Sequence, residues 1–204
     1  AVDGKMPVFL DGPGGAQVPE AVIAAMGGYL RHGNSNLLNS PFFAVQRTHE
    51  IVAQAREAAA AFVNGQPEEI VFGANMSTIT AHLSRSIVKE MQPGEEIIVT
   101  DLDHYSNVSF WEQAAQDRRV TVKRVRIRPD DCTLDTDHLE SLLSPRTRLV
   151  AFTLASNLTG SLTDAERIVK AAHQAGAMVY VDAVHYAPHF LPDVQALAPD
   201  FLAC

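Results

Sequence analysis

Cysteine is nearly absent from this chain. Cys132 and Cys204 are its two, too few for a disulfide framework, so a reducing compartment is expected. Lysine is scarce as well, with only Lys5, Lys89, Lys123 and Lys170. Cations are outnumbered, 16 Lys and Arg against 24 Asp and Glu. The formal net charge of −8 argues against nucleic acid or an anionic membrane surface as a partner. No apolar run is long enough to span a bilayer, and no signal-peptide pattern opens the sequence. Together these absences point to a cytoplasmic protein. The remaining composition, 47% apolar and 20% charged over 204 residues, suits a globular chain with a sizeable core.

Residues 1–18 read as an arm, with Pro7–Leu10 as a short strand. The turn-rich loop Asp11–Gly15 lacks the full dinucleotide fingerprint. Residues 19–204 read as one large domain. Pro19 opens a helix to about Leu30. Ser40 and Pro41 read as N-cap and first residue of a longer helix to about Asn64, with Val45, Val52, Ala55, Ala59 and Phe62 on its apolar face.

An alternation follows. Strands are expected at Glu69–Phe72, Glu96–Thr100, Val120–Ile127, Arg148–Leu154, Ala177–Val181 and from Asp200 onward. Helices are expected at Met76–Met91, Val108–Asp117, Thr136–Leu143 and Thr163–Ala175, the first with Ile79, Leu83 and Ile87 as its stripe. Strands separated by helical crossovers mean an α/β fold, a three-layer αβα sandwich around a mostly parallel sheet. The basic cluster from Arg118 to Arg128 reads as an edge strand guarded by charge.

Polar residues gather just after four of these strands. They are Asn75-Met76-Ser77, then Asp103 to Asn107, then Ser156-Asn157, then Asp182 with His185 and His189. In a parallel sheet such clusters share one edge, the edge where ligands bind. The turn at Asn75, Met76 and Ser77 offers backbone N–H groups and a hydroxyl at a helix N-terminus, a seat for phosphate or simply an N-cap. Asp182 ends a buried strand, so it is either paired with a cation or caps the next loop. His104 can stack on a flat ring or move protons, and Asn157 can hydrogen-bond a ring oxygen. Phosphate, ring cation and ring hydroxyl together describe pyridoxal 5'-phosphate.

Three motifs then carry a resemblance: Asp103-His-Tyr-Ser-Asn107, Ser156-Asn-Leu-Thr-Gly160 and Val181-Asp-Ala-Val-His185. In order and spacing they resemble the N-terminal half of class V aminotransferase-type proteins, in the cysteine desulfurase and desulfurase-like group, from about Val8 to Cys204. The resemblance implies the pyridoxal-phosphate fold type I and a homodimer with each active site near the subunit interface. It implies a small-molecule substrate, an amino acid, with cysteine first, and a sulfur-acceptor protein thiol. By position, Asp182 matches the partner of the pyridinium nitrogen, and His104 the ring-stacking residue and catalytic acid/base. Asn157 matches the partner of the ring hydroxyl, and Met76 and Ser77 the phosphate turn.

Two departures stand out. His185 occupies a glutamine position, where imidazole can still meet the ring hydroxyl. The phosphate turn reads Ala74-Asn-Met-Ser77 in place of Gly-Thr-Thr. The resemblance also implies a Schiff-base lysine just beyond Cys204, a substrate-binding arginine and a mobile-loop cysteine further on. The expectation is therefore a portion of a longer chain, inactive by itself. Cys204, ending a strand, reads as a core thiol.

Other reactions on the same scaffold remain open, namely transamination, epimerisation and lyase chemistry. So does a metal-dependent hydrolase built on Asp182, His185 and His189 with His104 nearby, although Pro188 interrupts the helical spacing of the two histidines. A noncatalytic binding module is the third alternative.

Overall fold

The computed structural model describes residues 3–204. They divide into two compact units, one running to Ala61 with Gln66–Ile70 added, the other made of Phe62–Gly65 and Val71–Cys204. The first two residues of the expected arm lie outside the described residues.

The first unit holds α1 (Glu20–His32) and most of α2 (Phe43–Val63). The two helices are joined by polar contacts. The Tyr29 hydroxyl meets the Thr48 hydroxyl at 3.0 Å, and the Thr48 hydroxyl also donates to the carbonyl of Ala44 at 2.8 Å. Three expectations are corrected here. Pro7–Leu10 is exposed and forms no strand, since no neighbouring strand offers it a ladder. The long helix begins at Phe43, two residues after Pro41. Its buried residues are Val45, Thr48 and Ala60; of the expected face Val45 is buried and Val52, Ala55 and Ala59 are half-buried, while Phe62 is exposed.

A fourth correction concerns Glu69–Phe72. Gln66 and Glu69 form a capping box, with the Gln66 N–H donating to the Glu69 carboxylate at 2.8 Å. Pro67–Glu69 therefore closes as a 3-10 turn, and Val71 and Phe72 beyond it are exposed. Local hydrogen bonding wins over strand propensity there.

The second unit is the expected sandwich. In chain order come α3 (Met76–Lys89), β1 (Glu96–Thr100), α4 (Ser106–Arg118), β2 (Thr121–Val125), α5 (Thr136–Leu142) and β3 (Thr147–Thr153). They are followed by α6 (Ala165–Gln174), β4 (Met178–Asp182), a four-residue helix α7 (Val194–Leu197) and β5 (Phe201–Ala203). The strand order is β2-β1-β3-β4-β5, and every pair is parallel. Asn75, Asp135 and Asp164 cap α3, α5 and α6 with their side chains, so α3 and α5 start where the sequence suggests and α6 two residues later than Thr163.

The strands are apolar on both faces because helices cover both. Ile98, Val150, Phe152, Val179 and Val181 face a core shared with Leu139 of α5 and Ile168 of α6. Ile97, Val99, Leu149, Ala151 and Tyr180 face a core shared with Val88 of α3 and Trp111 of α4. On α3 the most buried stripe is Met76, Thr80, Ser84 and Val88, one step round from the expected Ile79, Leu83 and Ile87. Leu83 and Ile87 pack at the margin of that core.

The basic strand β2 is indeed the sheet edge. Its cations are matched by carboxylates. Arg124 pairs with Glu112 and Asp101, and just past the strand Arg126 pairs with Asp135. At the opposite end of the strands, the buried Glu96 accepts from Lys123 at 2.6 Å, Ser144 at 2.6 Å and Arg146 at 2.9 Å.

Candidate active site

The strand order fixes where a ligand can sit. From β1 the chain crosses to β2 on one side, and from β3 it crosses to β4 on the other. The loops leaving β1 and β3 part between these neighbours, the topological switch point where open α/β sheets bind ligands. A cleft of about 350 Å³ opens there. It is lined by Thr100, Asp103, His104 and Tyr105 after β1, and by Asn157 and Leu158 after β3, with Arg124 at its margin. His104 and Asn157, widely separated in sequence, thus line one cleft.

His104 is held by the residue two positions on. The backbone N–H of Ser106 donates to Nδ1 at 3.2 Å, and the Ser106 hydroxyl lies 2.7 Å from the same atom. An Nδ1 that accepts a backbone N–H carries a lone pair, so the ring proton resides on Nε2.

Asp182 ends β4 and is 4% exposed. One carboxylate oxygen accepts the Val184 N–H at 2.9 Å. Among the described residues no lysine or arginine pairs with it. Burial pushes its pKa above the ordinary carboxylate range, opposed by the Val184 N–H and by the imidazoles of His104 and His185. A buried, half-satisfied carboxyl at the ligand edge of a sheet fits a cationic ring nitrogen well.

The expected phosphate turn does not follow a strand, as shown above, yet it reaches the same edge. Met76 touches Ser106, with the serine hydroxyl 3.7 Å from its sulfur. Asn75 accepts the Thr78 N–H at 2.8 Å, so its side chain is spent on capping α3. The Met76 side chain is buried in the core. What this turn presents is the N–H groups of Met76 and Ser77 and the Ser77 hydroxyl, the donor set a phosphate takes at a helix start.

His185 follows Asp182 in a turn where the Tyr186 and Ala187 N–H groups both donate to the Ala183 carbonyl. His189 lies exposed further round. Among the described residues, no three His, Cys, Asp or Glu side chains converge as metal ligands, so Asp182, His185 and His189 do not form the centre a hydrolase needs. Cys204 is exposed at the end of β5, not a core thiol, because the strand's buried residue there is Ala203.

One polar residue of the site escaped assignment from sequence. Asp103 contributes a largely enclosed carboxyl between Thr100 and Asn107. Its signal was the spacing of Asp103 and Asn107, four residues apart across a helix start, which brings the two side chains together.

A family model described as aminotransferase class-V matches residues 8–204. The chain belongs to the class V aminotransferase family. Among curated class V relatives, an aminotransferase-like protein of Gibberella zeae is 36% identical over 207 residues, covering 98% of this chain and 50% of its own length. A probable cysteine desulfurase of Synechocystis is 32% identical over 203 residues, covering 98% and 48%. Among solved structures, the cysteine desulfurase CsdA of Escherichia coli superposes with a TM-score of 0.78 at 33% identity, over 90% of this chain and 46% of that one. The class V chain therefore spans about half the length of the curated relatives it matches. The fold type I architecture expected from the sequence is the one it shares with this enzyme.

Proposed function

We propose that the whole protein is a pyridoxal-phosphate enzyme of the cysteine desulfurase-like kind, moving sulfur from cysteine to an acceptor thiol. The observation that carries this is Asp182, a buried carboxyl lacking a cationic protein partner, at the end of the strand next to the switch-point cleft. The cysteine desulfurases among the relatives support the substrate.

In this reading the Met76 and Ser77 N–H groups, with the Ser77 hydroxyl, hold the cofactor's phosphate. Asp182 would hold the protonated ring nitrogen. His104 would stack on the ring and could move protons at Nε2, with its Nδ1 fixed by Ser106. Asn157 and His185 would hold the ring hydroxyl. The cofactor supplies an electron sink that stabilises charge developing on the substrate carbon. We further place the protein in the cytoplasm as a homodimer, with a sulfur-acceptor protein as partner.

A second reading is another class V reaction on an amino acid: transamination, epimerisation or elimination. The Gibberella relative and His185 at the glutamine position favour it.

The deciding experiment is the visible spectrum of protein made from the complete reading frame, before and after borohydride, followed by turnover with cysteine and other amino acids. A yellow band abolished by borohydride, with sulfur released from cysteine, supports the first reading. A band with turnover of other amino acids only supports the second. Colourless protein that gains no band with added pyridoxal phosphate overturns both.

A further inference from the structure

Asp103 is the partly enclosed acid that the reading above leaves without a task. One carboxylate oxygen accepts from the Asn107 amide at 2.6 Å, and the other accepts from the Thr100 hydroxyl. The Thr153 N–H, at the end of β3, also favours its charged form. Asn107 cannot turn its amide round. Its oxygen accepts the indole N–H of Trp111 at 3.3 Å, and an indole only donates. Trp111 is fully buried and meets the ring of Tyr180 on β4 edge-on at 5.3 Å. The carboxyl therefore ties the end of β1 to the first turn of α4, and through Trp111 to the strand that ends in Asp182.

His104 stands between two fixed points. Asp103 precedes it directly, and Ser106 holds its Nδ1. The carboxyl accepts from both Thr100 and Asn107; an asparagine at 103 that keeps its oxygen on Asn107 turns its amide N–H toward Thr100, whose hydroxyl then loses this acceptor. Burial and the nearby Asp182 push the carboxyl's pKa up to about 8, so its charged form is gained only as pH rises through that value.

We propose that Asp103 is a positioning residue for His104, fixing the imidazole at the cleft through its bonds to Thr100 and Asn107 without itself touching substrate or cofactor. The part of this that concerns the cofactor rests on the reading above; the part that concerns the imidazole does not.

The test uses the full chain and three variants: Asp103→Asn, the exchanged pair Asp103→Asn/Asn107→Asp, and Thr100→Val. The exchange restores one donor facing one acceptor, and residue 107 still accepts from Trp111. The ring signal of His104, identified by its loss in His104→Gln, is read by NMR in cofactor-free protein, alongside the affinity for pyridoxal phosphate. Asp103→Asn is expected to move the His104 signal and to weaken cofactor binding roughly tenfold, the size of one hydrogen bond. The exchanged pair is expected to restore both. Thr100→Val is expected to move the signal the same way by less.

An unmoved His104 signal in Asp103→Asn overturns the proposal. So does an exchanged pair that recovers thermal stability and leaves the signal displaced. If Asp103→Asn does not fold, an unmoved signal in Thr100→Val overturns it. If the wild type binds no pyridoxal phosphate, the functional reading fails, and the His104 signal still decides this one.

Discussion

The phenol of Tyr180 and the hydroxyl of Thr80 meet at 2.7 Å between β4 and α3, both fully buried. Burial raises the phenol's pKa to about 12, so it remains a neutral donor. This pair explains why α3 turns Thr80 and Ser84, and not Ile79, toward the sheet. A small polar residue there lets the helix approach and satisfies a hydroxyl that has no water to turn to. Thr80→Val should cost about 1–3 kcal/mol by stranding the phenol. Tyr180→Phe should cost less, because Thr80 keeps its bond to the Met76 carbonyl. The double variant should be more stable than the sum of the two losses, as read by urea midpoints. Strict additivity would show that the pair is not coupled.

Glu96 should govern acid stability. Burial pushes its carboxyl up, but bonds from Lys123, Ser144 and Arg146 outweigh this and hold its pKa at about 2. A depressed carboxylate stabilises the fold above its ordinary pKa of 4.5, and that stability is lost as pH falls toward 2. Glu96→Gln should destabilise the protein by about 2 kcal/mol or more at neutral pH. It should also flatten the loss between those two values. An equally steep acid limb in the variant would assign it to other carboxylates.

Asp182 should show the opposite sign. Its raised pKa means that the ionised carboxyl costs stability as pH climbs past the ordinary carboxylate range. In cofactor-free protein, Asp182→Asn should leave the thermal midpoint equal or higher, with an advantage that grows as pH climbs from the ordinary carboxylate pKa to the raised one and is constant above it. The same variant should lose the visible band on adding pyridoxal phosphate. A variant that is less stable at every pH and binds the cofactor normally would contradict the role given to Asp182.

The tautomer of His104 can be read directly. With both Ser106 contacts on Nδ1, nitrogen NMR above the usual imidazole range should find the proton on Nε2. Ser106→Ala should keep that tautomer through the backbone N–H, while costing about 1 kcal/mol of stability. A protonated Nδ1 in the wild type would contradict the arrangement.

What the sequence determined by itself was whatever depends on near neighbours along the chain. The apolar runs at Glu96–Thr100 and Met178–Asp182, and the cap at Asn75, announce strands and a helix start within a few residues. Their alternation announces a parallel sheet and thus an edge where Asp103 to Asn107, Asn157 and Asp182 belong together. Only the tertiary structure decided the rest, because depth and adjacency are set by which elements meet. It denied a strand to Glu69–Phe72, where a capping box closes a turn and the Ile70 carbonyl accepts from Arg56 instead of a strand. It chose Thr80 over Ile79 because Tyr180 waits opposite, a hundred residues away. It spent Asn75 on capping α3 and sent the Met76 side chain into the core. And it made Asp103 matter, since an acid gains that meaning only when Thr100, Asn107 and Asp182 close around it.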